Sequence, residues 1–297
     1  MNIPGLYVNR RNLPDAWEKS VLEVWNKGIS IKTEYDKPND PPSKDCTMMI
    51  EIDEPLGEPR IHMALPCRLE DLEKYRLEVV EGVHDDWIAP TGSKDPADSK
   101  KWIYTYHQRL FEFPVLTEKG LEKINQISKM VDGLAKVPYS RRQQAITWKP
   151  DFDPSHDDPP CLQRLWGRLL KGETEVWFFN MNTHWRSRDA YKAAYMNMFA
   201  LTSLQEKIAK EIGEKMGEEV LVGRYVDVSD SYHVYGSYFD AVEGFLKIVE
   251  RRKFYDPKNK IQSRTATSDD DHVKRAFEIG RAELEKEKAT GIKGVRV

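Results

Sequence analysis

One amide interrupts the longest helical stretch of this chain. Over residues 190–216, Ala190, Ala193/Ala194, Asn197, Leu201, Leu204, Ile208 and Ile212 recur at the spacing of a buried stripe. Asn197 is the amide on that stripe, and an amide buried without partners costs roughly 1–3 kcal/mol. Either nearby backbone satisfies it, or its paired donor and acceptor read the edge of a heterocycle. Just upstream, Trp185-Arg186-Ser187-Arg188-Asp189 sets cations and a hydroxyl before a helix N-terminus. That is a suitable seat for an oxyanion; the plainer reading is a helix cap with two solvated arginines. Ser140-Arg141-Arg142 is a second basic cluster, and His233 and Tyr235 stand two apart on one face of a strand. Cys161 follows Pro159-Pro160. Such a thiol is an inert buried group or, where arginines lower its pKa, a thiolate nucleophile. Cys67 has a similar Leu-Pro-Cys setting, so only the arginine clusters distinguish Cys161.

The elements that must hold these residues are read from periodicity. Helices are expected over residues 15–27, 69–83 (with Gly82 as a stop), about 117–134, 190–216 and 269–288. Strands are expected over 47–52, 144–148, 162–170, 175–185 and 220–235, with a hairpin-like connection at Lys171-Gly172-Glu173. The proline-dense run 35–42, the polar run 90–101 and the acidic run 151–160 read as loops. The charges of the last helix read as a solvated face. The pattern predicts an α+β fold with a mixed or mostly antiparallel sheet and one long central helix.

Composition narrows the function classes. The 297 residues are 39% hydrophobic and 32% charged, which describes an ordinary soluble globular protein. A net charge of −3 gives no global pull toward nucleic acid or an anionic membrane, so any phosphate bound must be small and met locally. No apolar run could span a bilayer, and the N-terminus lacks the features of a secretory signal. Three cysteines without a CxxC pair argue for a reducing, cytoplasmic setting. The seven histidines show no metal-binding spacing, so no metal is expected.

Taken in order, Ser140-Arg141-Arg142, Trp148, Pro160-Cys161, Arg186-Ser187-Arg188-Asp189, Asn197 and His233-Val234-Tyr235 resemble the thymidylate synthase family. The resemblance runs from about Tyr104 to Tyr235. It implies a thymidylate synthase-like fold whose mixed sheet forms a homodimer interface. A single catalytic domain would fill residues 1–297, with a divergent N-terminal region (about 1–68) and a charged helical tail (about 266–297).

The resemblance also implies roles. Cys161 would attack C6 of a pyrimidine deoxynucleotide. Arg186 and Ser187 would hold its phosphate, with Arg141 and Arg142 reaching in from the partner subunit. Asn197 would contact the base, and His233 and Tyr235 the sugar hydroxyl. Asp189 would bind the pterin of 5,10-methylenetetrahydrofolate, the carbon donor, and Tyr104 would stand near the C5 proton. Arginines around Cys161 would lower its pKa. Where the family usually has histidine and glutamine, this chain has Leu162 and Trp185. Glu78 and Glu81 are the candidates for the family's proton-relay glutamate, and residues 292–297 resemble its closing tail. Asn197 suits uracil, and methylation is the family's commonest activity, so dUMP to dTMP leads. A hydroxymethylase, an enzyme acting on dCMP, and an inactive nucleotide-binding homologue remain open. A cysteine hydrolase is disfavoured, because no histidine is paired locally with Cys161.

Overall fold

Eight strands hydrogen-bond into the sheet that carries the chain. The computed structural model describes residues 2–90, 101–173 and 175–297, so the loop expected over 90–101 lies almost wholly outside the described residues. The N-terminal part supplies β1 (Gly5–Arg10), α1 (Leu13–Lys27), β2 (Ile29–Ile31), β3 (Ser43–Ile52) and β4 (Ile61–His62). Then come α2 (Leu69–Glu81), α3 (Tyr106–Phe111), β5 (Phe113–Thr117), β6 (Gly120–Ile124), α4 (Gln126–Lys136) and β7 (Gln144–Ile146). The rest is β8 (Leu162–Lys171), β9 (Trp177–Trp185), β10 (Arg188–Asp189), α5 (Ala194–Met216), β11 (Val220–Val234), α6 (Phe239–Arg251), β12 (Thr265–Ala266) and α7 (Asp271–Thr290).

The sheet order is β1-β3-β11-β9-β8-β7, with β10 beside β11 and β2 beside β3. β1–β3 and β11–β9 pair parallel, while β3–β11, β9–β8 and β8–β7 pair antiparallel. The sheet is therefore mixed, as expected. Alternation decides its two faces. Along β9, Trp177, Phe179, Met181, Thr183 and Trp185 are buried, and the residues between them are half-exposed. Helices α1, α4 and α5 pack on the buried side. Helix α5 is buried on most of its circumference, from Ala194 to Ile212.

Two expectations need correction. Residues 117–134 are not one helix. Leu121 and Ile124 mimic helical spacing, but Gly120 has φ 108°, which suits a turn and not a helix. β5 and β6 pair antiparallel around it, and Asn125 Oδ1 then accepts from Ser128 N at 2.8 Å to cap a fresh helix, α4. Nor are the charges of α7 merely solvated. Glu283 and Glu287 are buried against α2, where Lys74 Nζ reaches Glu287 at 2.7 Å and Glu283 at 3.4 Å. Gly280 permits that approach, since a Cβ there would meet Glu70 O at 2.7 Å.

The acidic loop before Cys161 is anchored by one buried pair. Arg109 of α3 grips Asp153 through both terminal nitrogens (2.7 and 3.2 Å) and donates to Thr147 O at 2.9 Å. Removing one partner of a buried pair strands the other charge, which typically costs about 3–5 kcal/mol. Asp153→Ala is therefore expected to lower unfolding free energy by about that much in a urea titration; a loss below about 1 kcal/mol would contradict the anchoring role.

Candidate active site

Strand register brings the sequence motifs together. Leu162 of β8 pairs with Trp185 of β9, and Arg186 N donates to Cys161 O at 2.9 Å, so the thiol residue stands opposite Arg186. The β8–β9 register shifts between Leu162 and Arg164, an irregularity that turns the end of the strand beside Cys161. β10 runs parallel to β11, placing Asp189 beside His233, and Ala190 N donates to His233 O at 2.7 Å. A second shift, between Ser229 and Tyr232, falls just before His233.

The result is a cleft of about 390 Å³. Of the residues singled out from sequence, Cys161, Ser187, Asp189, Asn197, His233 and Tyr235 line it together. Its floor is a polar hub. Arg188 pairs with Asp227 through Nη1 and donates to Ala194 O through Nη2 at 2.8 Å. Asp227 Oδ2 also accepts from Tyr225 (2.7 Å), Thr183 (3.1 Å) and the Trp185 indole (3.2 Å).

Other expected residues stand elsewhere. Arg186 is half-buried at the rim, donating to Pro159 O (2.6 Å) and Pro160 O (3.1 Å). Arg141 and Arg142 are exposed on the connection before β7. Tyr104 lies in an adjoining pocket that also includes Glu78 and Asp158, its ring 5.8 Å from Tyr106. Tyr106, not Tyr104, faces the main cleft, and its hydroxyl accepts from Leu162 N at 3.4 Å. Glu78 is bonded to His84 Nδ1 at 2.7 Å, and Glu81 approaches Lys207 at 3.7 Å. The C-terminal tail folds back on α7 and α2: Gly294 N donates to Glu287, and Arg296 pairs with Asp71 and Glu283.

Sequence reasoning missed Tyr75. It is on α2, lines the cleft, and its hydroxyl accepts a 2.6 Å hydrogen bond from Asn197 Nδ2. The misfit amide is thus met by a side chain 122 residues away, and no local signal points to it.

The sequence profile of the thymidylate synthase family matches residues 69–286. The chain belongs to the thymidylate synthase family. A Methanocaldococcus jannaschii protein named provisionally as a thymidylate synthase is 37% identical over 235 residues, covering 77% of this chain and 90% of its own. One from Methanosarcina acetivorans, named likewise, is 27% identical over 243 residues, covering 82% and 95%. The structure of thermostable thymidylate synthase A from Bacillus subtilis aligns with TM-score 0.55 at 18% identity, over 82% of this chain and 86% of that one. That likeness concerns the mixed α/β fold.

Against the family pattern, the two departures beside Cys161 are accommodated by packing. Leu162 is fully buried in the core. Trp185 is buried too, tied to Asp227 and set edge-on to Tyr106 at 5.7 Å.

The electrostatics correct one expectation. Burial pushes the Cys161 thiol above the ordinary cysteine range; Arg186 and, less strongly, Arg188 pull it down, and Asp158 pushes it up. In the single chain burial wins, so the arginines moderate a raised pKa and do not produce a depressed one. Cys46 and Cys67 are raised by burial to about 12. Burial lowers His233 to about 4, leaving a neutral imidazole at physiological pH whose Nδ1 lies 3.2 Å from Ser231 Oγ. Asp189 is shifted up by burial, although its Oδ1 accepts from Tyr191 N and Lys192 N at 2.9 Å each.

Because only the thiolate alkylates, iodoacetamide should modify Cys161 before Cys46 or Cys67, at a rate rising through a midpoint above the ordinary thiol value. Arg186→Met removes a charge that favours the thiolate, so the midpoint should move higher and the rate at pH 8 should fall several-fold. Peptide mapping across a pH series checks this, and an unchanged or faster rate would refute the role given to Arg186.

Proposed function

We propose that this protein transfers a one-carbon unit from 5,10-methylenetetrahydrofolate to C5 of dUMP, yielding dTMP. The observation that carries this is the convergence of Cys161, Ser187, Asp189, Asn197, His233 and Tyr235 on one cleft. Cys161 thiolate adds to C6; the S–C6 bond forms, the C5=C6 π bond breaks, and its electrons move toward O4. C5 becomes the carbon nucleophile. Methylenetetrahydrofolate supplies the carbon unit and, in the methylating reaction, the hydride. Asp189, a carboxylate at the cleft wall with one oxygen held by backbone N–H groups, accepts from a pterin N–H in this reading. Asn197 reads the uracil edge, since its donor and acceptor match O4 and N3–H. Neutral His233 and Tyr235 take the sugar hydroxyl, and Arg186 with Ser187 takes the phosphate. Tyr104 lines the adjoining pocket, where Tyr106 borders both it and this cleft.

The active form in this reading is a homodimer. Tyr7, Met49, Ile146, Leu170 and Leu221 leave apolar surface on sheet strands, a liability that pairing with a second copy would remove. Arg141 and Arg142 of the partner subunit would complete the phosphate site.

Incubation of dUMP and dCMP, separately, with methylenetetrahydrofolate tests the reading by product mass. Conversion of dUMP to dTMP with release of dihydrofolate is expected, and Cys161→Ser should abolish it while leaving dUMP affinity within about threefold. A hydroxymethylated product would replace the methylating step, and consumption of dCMP alone would replace the base assignment. Neither nucleotide reacting would overturn the reading.

A further inference from the structure

The cleft offers the base a feature that the roles above leave unused. Among the described residues lining it, Asp189 is the one carboxylate, and it is held by the backbone of Tyr191 and Lys192. Neither glutamate considered for proton relay lines this cleft: Glu78 borders the adjoining pocket and Glu81 faces Lys207. What stands beside Asn197 is the Tyr75 hydroxyl, at 2.6 Å. Direction matters in that contact. Asn197 Nδ2 donates and the phenol oxygen accepts, so the phenol proton is not consumed by it.

Building on the reading of Cys161 as a nucleophile toward uracil, we propose that Tyr75 is a further catalytic residue. Its O–H donates to O4 of the base and stabilises the negative charge that arrives there when the thiolate adds to C6. The proton stays on the phenol oxygen throughout: one S–C bond forms, one π bond breaks, and the charge moves from sulfur to O4, where the hydrogen bond strengthens. A fixed donor aimed at developing charge in a largely apolar cleft is among the larger contributions a side chain makes to catalysis. Burial raises the Tyr75 phenol well above its ordinary range, with the nearby Tyr106 and Glu78 acting in the same sense, so it remains a donor at any working pH. Asn197 then has two tasks: it contacts the base and holds the phenol oxygen so that the O–H turns toward the ligand.

The test isolates the addition step. Reversible addition of Cys161 lets the C5 hydrogen of dUMP exchange with solvent, so loss of C5 deuterium reports enolate formation without a folate. Tyr75→Phe keeps the ring and removes the donor. Exchange is expected to slow by about 100-fold, the scale of losing one oxyanion donor, while dUMP affinity stays within about threefold. Exchange within threefold of wild type would overturn the proposal. So would a loss of affinity that accounts for the whole effect, since that is what freeing Asn197 alone would give. Should Tyr75→Phe fold poorly, 3-fluorotyrosine at position 75 keeps the hydroxyl and sharpens its acidity. It should exchange at least as fast as wild type, and a tenfold fall would contradict the donor role. Wild-type protein that binds dUMP without exchanging it would instead remove the reading of Cys161 on which this rests.

Discussion

The Arg188–Asp227 pair, buried in the sheet under the cleft, is the constraint on which the site depends. Both side chains are almost entirely excluded from solvent. Charges so placed are tolerable only when nearly every lone pair and proton is used. Here Asp227 also collects Tyr225, Thr183 and Trp185, while Arg188 reaches on to Ala194 O at the start of α5. One carboxylate therefore ties β9, β10, β11 and the long helix to a common point. Asp189 sits beside His233 because β10 is held against β11, and Asn197 projects from the first turn of a helix fastened by the same arginine.

The second constraint is desolvation. The cleft walls are largely aromatic or apolar, with Tyr75, Tyr106, Trp185 and Met196 around Cys161. That setting disfavours the thiolate, which is why the thiol is raised despite two nearby arginines. The same apolar surroundings strengthen any hydrogen bond offered to a ligand in the cleft. A site of this kind holds the Cys161 thiol mostly protonated until positive charge is supplied close by.

Much of this was legible in the sequence, for identifiable reasons. The motif residues lie on or beside strands and one helix, where local spacing alone determines which side chains share a face; His233 with Tyr235 is such a case. Asn197 stood out because an amide on an apolar stripe demands a partner. Its partner was not legible, because Tyr75 arrives from α2 through tertiary packing. The 113–124 hairpin was misread because Leu121 and Ile124 happen to fall at helical spacing, while the decisive residue was Gly120 with its positive φ. The burial of Glu283 and Glu287 was equally hidden, since Lys74 and His84 lie about two hundred residues away. Strength of charge interactions, including the thiol's, depends on burial that no local pattern encodes.

The central claim is that Cys161 bonds to C6 of the pyrimidine, and trapping that bond tests it most directly. 5-Fluoro-dUMP carries fluorine where a proton must leave, so addition and carbon transfer can proceed but elimination cannot. Incubated with methylenetetrahydrofolate, the protein should gain the mass of both ligands, and peptide mapping should place the adduct on the Cys161 peptide. An unmodified protein under conditions where the nucleotide binds, or an adduct on any other residue, would contradict the account.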